Sequence, residues 1–170
     1  GAAGTFTLNT SNNAITTLDA DNTALTALSF QDNTGFTVAG INTTGNSTLS
    51  STGTVTQSGV INAAGLELLG AGGTYTLNTS NNTITTLAGN TGSVIIQDTT
   101  GFAIGTVNTV GLTTSGATTL QVGAGTVTQT AAIGATTLTL EGAGATYSLG
   151  SANNAITTLD ADNTALTALS

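Results

Sequence analysis

The 170-residue chain contains no Lys, Arg, His, Cys, Met, Pro or Trp. Nucleic-acid affinity comes mostly from phosphate neutralisation by Lys and Arg, so neither DNA nor RNA is an expected partner. An anionic membrane surface would repel the chain for the same reason. Side-chain salt bridges, cation–π contacts and bidentate Arg clamps cannot form. Without Cys there is no disulfide framework, which fits both a protein that never relied on disulfides and one exported unfolded by a route that disfavours them. No apolar run approaches the roughly 20 residues of a spanning helix, so membrane insertion is not expected, and the first residues do not read as a signal peptide. The chain also offers no cleavage point to trypsin-like proteases, which suits an extracellular life; copying of a Lys-free ancestral unit accounts for it equally well.

What is present is Thr, about a quarter of all residues, with 23 Gly and eight carboxylates that set a net charge of −8. The hydrophobic share of 38% is enough for a core if it is well patterned.

That composition is laid down in repeats. NNAITTLDADNTALTALS runs from Asn12 to Ser29 and again, letter for letter, from Asn153 to Ser170, with a diverged copy, NNTITTLAGNTGSVIIQD, from Asn81 to Asp98. Phe6 returns as Tyr75 and Tyr147, Gly53–Gln57 returns as Gly125–Gln129, and Gly35-Phe36 returns as Gly101-Phe102. The repeat length is roughly 70 residues, and its drift suits loops of changing length around a constant scaffold. We expect a single section over residues 1–170, built from units at about 1–70, 71–141 and a partial 142–170. Gly1 opens in register and Ser170 closes within a unit, so the chain reads as part of a longer one.

Runs such as TFTLNT, FTVAGIN, TYTLNT, SVIIQD and TTLTLEG alternate apolar residues with Thr, as strands with one inward face do. Asn-Asn, Asp-Asn and Thr-Gly stand between them, residues suited to turns. Helix formers are scarce, and Ala64–Leu69, AGLELL, is read as strand. An antiparallel sandwich and a parallel β-solenoid both fit this spacing. Recurrence of like segments and only six aromatics favour the solenoid, with three coils per repeat and about seven coils of roughly 22–24 residues in all. Asn12, Asn81 and Asn153, each followed by a second Asn (Asn13, Asn82, Asn154), would then share one corner about three coils apart and bond neighbouring backbone.

The phrases GTVTQSGVINAAGLELLGAGGTYTLN and GATTLTLEGAGATYSLG resemble the filamentous-haemagglutinin-like exoproteins of bacterial two-partner secretion and related repeat-rich surface proteins. The resemblance implies a right-handed parallel β-helix at the bacterial cell surface that serves adhesion, aggregation or biofilm building. The family's secretion motifs are not visible here.

Enzyme chemistry is not expected. Polysaccharide lyases of this architecture use Lys or Arg, and hydrolases need clustered carboxylates of separated pKa. The acids are Asp19, Asp21, Asp32, Glu67, Asp98, Glu141, Asp160 and Asp162, and only Asp19/Asp21 and Asp160/Asp162 form close pairs. Each pair, with the carbonyl of Asn22 or Asn163, is a weak Ca²⁺ candidate, because a third or fourth carboxylate is lacking, and the middle copy carries Ala88, Gly89 and Asn90 instead. No cofactor is expected. Thr-x-Thr units at Thr5–Thr7, Thr54–Thr56, Thr74–Thr76, Thr126–Thr128 and Thr137–Thr139 resemble ice-binding faces but do not recur in every coil. Sequons at Asn9, Asn42, Asn46, Asn78 and Asn81 would matter only in a eukaryotic secretory host. The expectation is a structural shaft with end-to-end or lateral self-association, and the alternative is a module that recognises cell-surface glycans.

Overall fold

The alternation of apolar residues and Thr becomes strands throughout, with no helix among the described residues, 2–162 and 164–170, of this computed structural model. Fifteen strands follow one another: β1 Thr5–Leu8, β2 Thr17–Leu25, β3 Ala27–Gln31, β4 Gly35–Thr43, β5 Asn46–Ser50, β6 Thr54–Gln57, β7 Ile61–Asp98, β8 Ala103–Ile104, β9 Leu112–Thr114, β10 Ala117–Val122, β11 Thr126–Gln129, β12 Ile133–Glu141, β13 Thr146–Tyr147, β14 Ala155–Asp160 and β15 Ala168–Leu169. The long β7 turns corners without losing its pairing: Gly65–Leu69 lie on β5, Thr74 and Tyr75 on β6, and Val94–Asp98 on β10.

Every strand pairing among the described residues is parallel; one isolated antiparallel bridge joins Thr106 and Val110. Consecutive strands do not form hairpins. The chain instead returns to the same column one coil later, pairing Thr5 with Ala27, Leu28 with Ser47, Ala117 with Thr137 and Thr137 with Thr158. This is the expected all-β parallel solenoid.

It has about eight coils, one more than expected, and each is nearer 20 residues than 22–24. The difference lies in how the repeat maps onto the coil. Thr17 of the first NNxITTL copy stacks on Thr37 and then Thr56. The corresponding Thr158 belongs to that same column, through Thr137 and Ala117. Thr86 of the middle copy stacks on Ala103 and then Thr128, in the other column. A repeat of roughly 70 residues therefore spans about three and a half coils, and successive copies alternate sides. The expected shared corner is thus corrected: the first and third copies share a side, and the middle copy faces the opposite way.

Inward side chains stack in ladders along the axis. Phe30, Leu49 and Leu68 form one, Phe36, Val55 and Tyr75 a second, and Ile96, Leu120 and Leu140 a third. Phe30 and Phe36 bridge two ladders edge to face, with ring centroids 5.2 Å apart at 86°. Burying each such side chain contributes about 1.5–3 kcal/mol, so the core is one continuous apolar rod. Its ends are open. Phe6 and Leu8 are 40% and 47% exposed at the first coil, and Leu159 and Leu169 are 53% and 44% exposed at the last.

Candidate functional site

The polar residues that recur in the sequence meet between coils. Asn82 is fully buried at a corner. Its amide nitrogen donates to Leu77 O at 3.0 Å and Gln97 O at 2.9 Å, and its side-chain oxygen accepts from Ile61 N at 2.8 Å and from the Gln57 amide. Asn154 repeats the arrangement with Leu149 O at 2.8 Å, Ile133 N at 2.8 Å and the Gln129 amide. Asn13 holds Leu8 O at 2.8 Å and Gln31 O at 2.9 Å. Thr79 and Ser151 add matching bonds to the carbonyls of Gln57 and Gln129. The GTVTQ and NNxITTL motifs are thus two halves of one lock.

A second lock uses acid. Asp32 is fully buried, accepting from Ile15 N at 2.7 Å with one oxygen and from Thr34 N and Oγ1 at 2.8 and 2.6 Å with the other. Asp98 does the same for Ile84 N at 2.8 Å, Thr100 N at 2.9 Å and Gly101 N at 2.9 Å. Burial works to raise the Asp32 pKa, but these hydrogen bonds outweigh it and hold the carboxyl below its ordinary range. Just beyond each Asp, Gly35 and Gly101 take φ of 90° and 92°, where a Cβ would sit 2.3 Å from Thr54 O or 2.1 Å from Thr126 O. The sequence carries this lock as QDNTGF and QDTTGF at 31–36 and 97–102, of which the Gly-Phe pair alone marked the repeat above.

Glu67 had no such signal. It points outward from β7 yet is 1% exposed, because the segment Gly105–Gly111 folds back over it. Thr109 N and Oγ1 donate to one carboxylate oxygen at 2.6 and 2.7 Å, and Asn108 Nδ2 and Thr48 Oγ1 donate to the other at 2.7 and 2.9 Å. Burial pushes its pKa up, and the four donors more than reverse this, leaving it lowered. Asn108 and Thr109 lie 41 and 42 residues away in sequence, so the strap ties non-adjacent coils.

No protein-family model, curated protein or solved structure matches this chain.

The Ca²⁺ candidates lie at the two ends of the solenoid. Asp19 and Asp21 are exposed on β2, where the hydrogen bond shared with the Asp19 side chain, then desolvation and the Asp19 charge, raise the Asp21 pKa. The two carboxylates are close enough for one cation, but Ca²⁺ takes six to eight oxygens. Among the described residues no group of three His, Cys, Asp or Glu comes together. Asp160 is half-buried and Asp162 exposed in the last coil, while Asn163 lies outside the described residues. Of the first Asn in each pair, Asn12 accepts from Asn33 N at 2.7 Å, Asn81 accepts from the Gln97 amide, and Asn153 is exposed.

A recess of about 220 Å³ opens at the first coil, lined by Phe6, Leu8, Leu18, Leu25, Leu28 and Asp19. Its floor is the apolar rod, and Asn22 and Thr23 also line it.

Proposed function

We propose that the chain is a structural shaft or fibre section of a secreted adhesin or filament on the bacterial cell surface. It would serve attachment, aggregation or matrix building, and it would self-associate. The carrying observation is where the polar chemistry goes. Gln57–Asn82, Gln129–Asn154, Asp32–Ile15 and Asp98–Ile84 all join one coil to the next. Tension along the axis is borne by these locks and by the strand ladders, while the interior excludes water and the anionic, Thr-rich exterior keeps the rod in solution. The resemblance to filamentous-haemagglutinin-like exoproteins points the same way.

One observation favours the alternative, a glycan-binding face. Thr54-Val55 lies in register on Thr74-Tyr75, and Thr37 Oγ1 meets Thr56 Oγ1 at 2.9 Å, giving a short outward Thr ladder. The two readings separate on beads coated with the purified chain. A shaft that self-associates clumps the beads and resists stretching along its axis in single-molecule pulling. Dispersed beads together with saturable binding on a glycan array, abolished by Thr56→Val and Thr76→Val, would replace the shaft by the binding module.

A further inference from the structure

One column of the solenoid presents an outward face that is almost without charge over six successive coils. Thr37 lies on Thr56, Thr54-Val55 on Thr74-Tyr75, and Ile95 on Thr119 and then Thr139. Thr37, Thr56, Ile95, Thr119 and Thr139 are all partly or fully exposed. Carboxylates flank this stretch, Asp19 and Asp21 on β2 and Glu141, Asp160 and Asp162 from β12 onward, while Asp32, Glu67 and Asp98 are buried.

The other two sides are unsuited to a long flat contact. The column of β3, β5 and Gly65–Leu69 is crossed by the strap Gly105–Gly111, which covers Glu67 and leaves Val110 70% exposed. The third is two or three residues wide where it pairs, Ile41-Asn42 on Ile61-Asn62 and Leu112–Thr114 on Gly89–Thr91.

We propose that the uncharged face is where a second copy of the chain lies, side by side and antiparallel. The proposal rests on the self-association put forward above and names its surface. A chain of net charge −8 with no cation repels its copies wherever carboxylates face, so the contact falls on the side that is nearly free of them. Six coils ~4.8 Å apart, with strands of about five residues at ~3.3 Å each, give roughly 500 Å² per copy and roughly 1,000 Å² for the pair, the area at which a specific interface begins. The hydroxyls enter with partners of their own: Thr37 Oγ1 meets Thr56 Oγ1 at 2.9 Å, and Ser93 Oγ donates to Thr74 Oγ1 at 3.3 Å, which lowers the cost of drying them. Thr and Ile are stiff at χ1 and give up little side-chain freedom on contact.

Glu141 sets the direction. It lies on Gln121, in the outermost of the six coils. Parallel copies would bring the two Glu141 side chains together, whereas antiparallel copies set each against the neutral coil of Thr37, with Thr56 of one copy facing Thr119 of the other. The flanking carboxylates stay in water beside the contact, where salt screens them.

Sedimentation velocity on the full chain and its variants tests this, with circular dichroism confirming the strands of each variant. Thr56→Glu/Thr119→Glu places like charges across the contact and should leave monomer at concentrations where the parent chain is dimeric. Thr126→Glu/Thr128→Glu, at two exposed positions of the neighbouring column, should dimerise as the parent does. Thr56→Lys/Thr119→Glu meets opposite charges in the antiparallel pair and like charges in a parallel one, so it should dimerise at least as tightly as the parent. Unchanged association of Thr56→Glu/Thr119→Glu overturns this face and leaves self-association standing. Monomer from Thr56→Lys/Thr119→Glu overturns the antiparallel arrangement. Monomer from the parent chain at high concentration overturns the face and the self-association together.

Discussion

The side-chain amides of Gln57 and Asn82 face each other across two coils, and those of Gln129 and Asn154 do so in the same way. The first pair is buried, with Gln57 at 4% and Asn82 at 0% exposure. A buried polar pair of this kind is worth little over water while intact, but leaving either half alone costs the desolvation of the other.

Asn82→Ala strands Ile61 N, the Gln57 amide and two main-chain carbonyls at once. We expect a loss of about 3 kcal/mol in denaturant unfolding, against under about 0.5 kcal/mol for the exposed neighbour Asn81→Ala. Gln57→Ala/Asn82→Ala should cost less than the sum of its parts, since each substitution removes the other's partner. Equal losses for Asn81→Ala and Asn82→Ala would show that the lock contributes nothing.

This lock was half legible. The sequence displays Asn12-Asn13, Asn81-Asn82 and Asn153-Asn154 as corners, and it displays GTVTQ as a marker, but nothing in it says that the two motifs touch 25 residues apart. The apolar–Thr alternation marks strands and inward faces because a pleated strand has period two. Coil length is hidden because the repeat is not a whole number of coils, so dividing roughly 70 residues by three gives too long a coil. Glu67 was illegible for a different reason: its partners Asn108 and Thr109 sit on a single excursion that breaks the periodicity, and periodicity was the only long-range signal.

The two glycines after the Asp locks should be intolerant for a stated cause. Gly101→Ala combines φ of 92° with a Cβ 2.1 Å from Thr126 O, and we expect a loss above about 3 kcal/mol. Gly72→Ala at φ 77° meets nothing within 4 Å and should cost only the strain of its backbone, about 1 kcal/mol. Thermal unfolding of the two variants checks the contrast, which disappears if the close approach to Thr126 is not real.

Acid should loosen the rod through Asp32 and Glu67. Both carboxyls have pKa values lowered in the folded state, so their contribution is complete above the ordinary carboxylate pKa, about 4, and is lost as pH falls below it towards the folded values. Glu67→Gln keeps the shape of the side chain and removes the charge. It should weaken the hold on Thr109 and raise amide exchange in Gly105–Gly111 at pH 7, and it should flatten the stability curve below pH 4. An unchanged curve would assign the acid sensitivity to other carboxylates.

Alkali acts through the tyrosines. The Tyr75 hydroxyl lies 2.9 Å from Leu49 O and 2.7 Å from Leu69 O, and the Tyr147 hydroxyl lies 2.7 Å from both Leu120 O and Glu141 O. Each O–H donates its one proton within a site that disfavours phenolate. Burial pushes Tyr147 up to about 12 and Tyr75 higher still, against about 10 for a free tyrosine. The folded state thus keeps a proton that the unfolded state gives up, so stability is full below pH 10 and falls as pH rises through the folded values. Phenolate absorbance should stay flat past pH 10 and rise only as the chain unfolds. Tyr147→Phe removes both carbonyl contacts, costs about 1–2 kcal/mol at neutral pH and shifts the alkaline transition upward, because one fewer proton is lost on unfolding. Ordinary titration near pH 10 in the folded chain would contradict the burial of both rings.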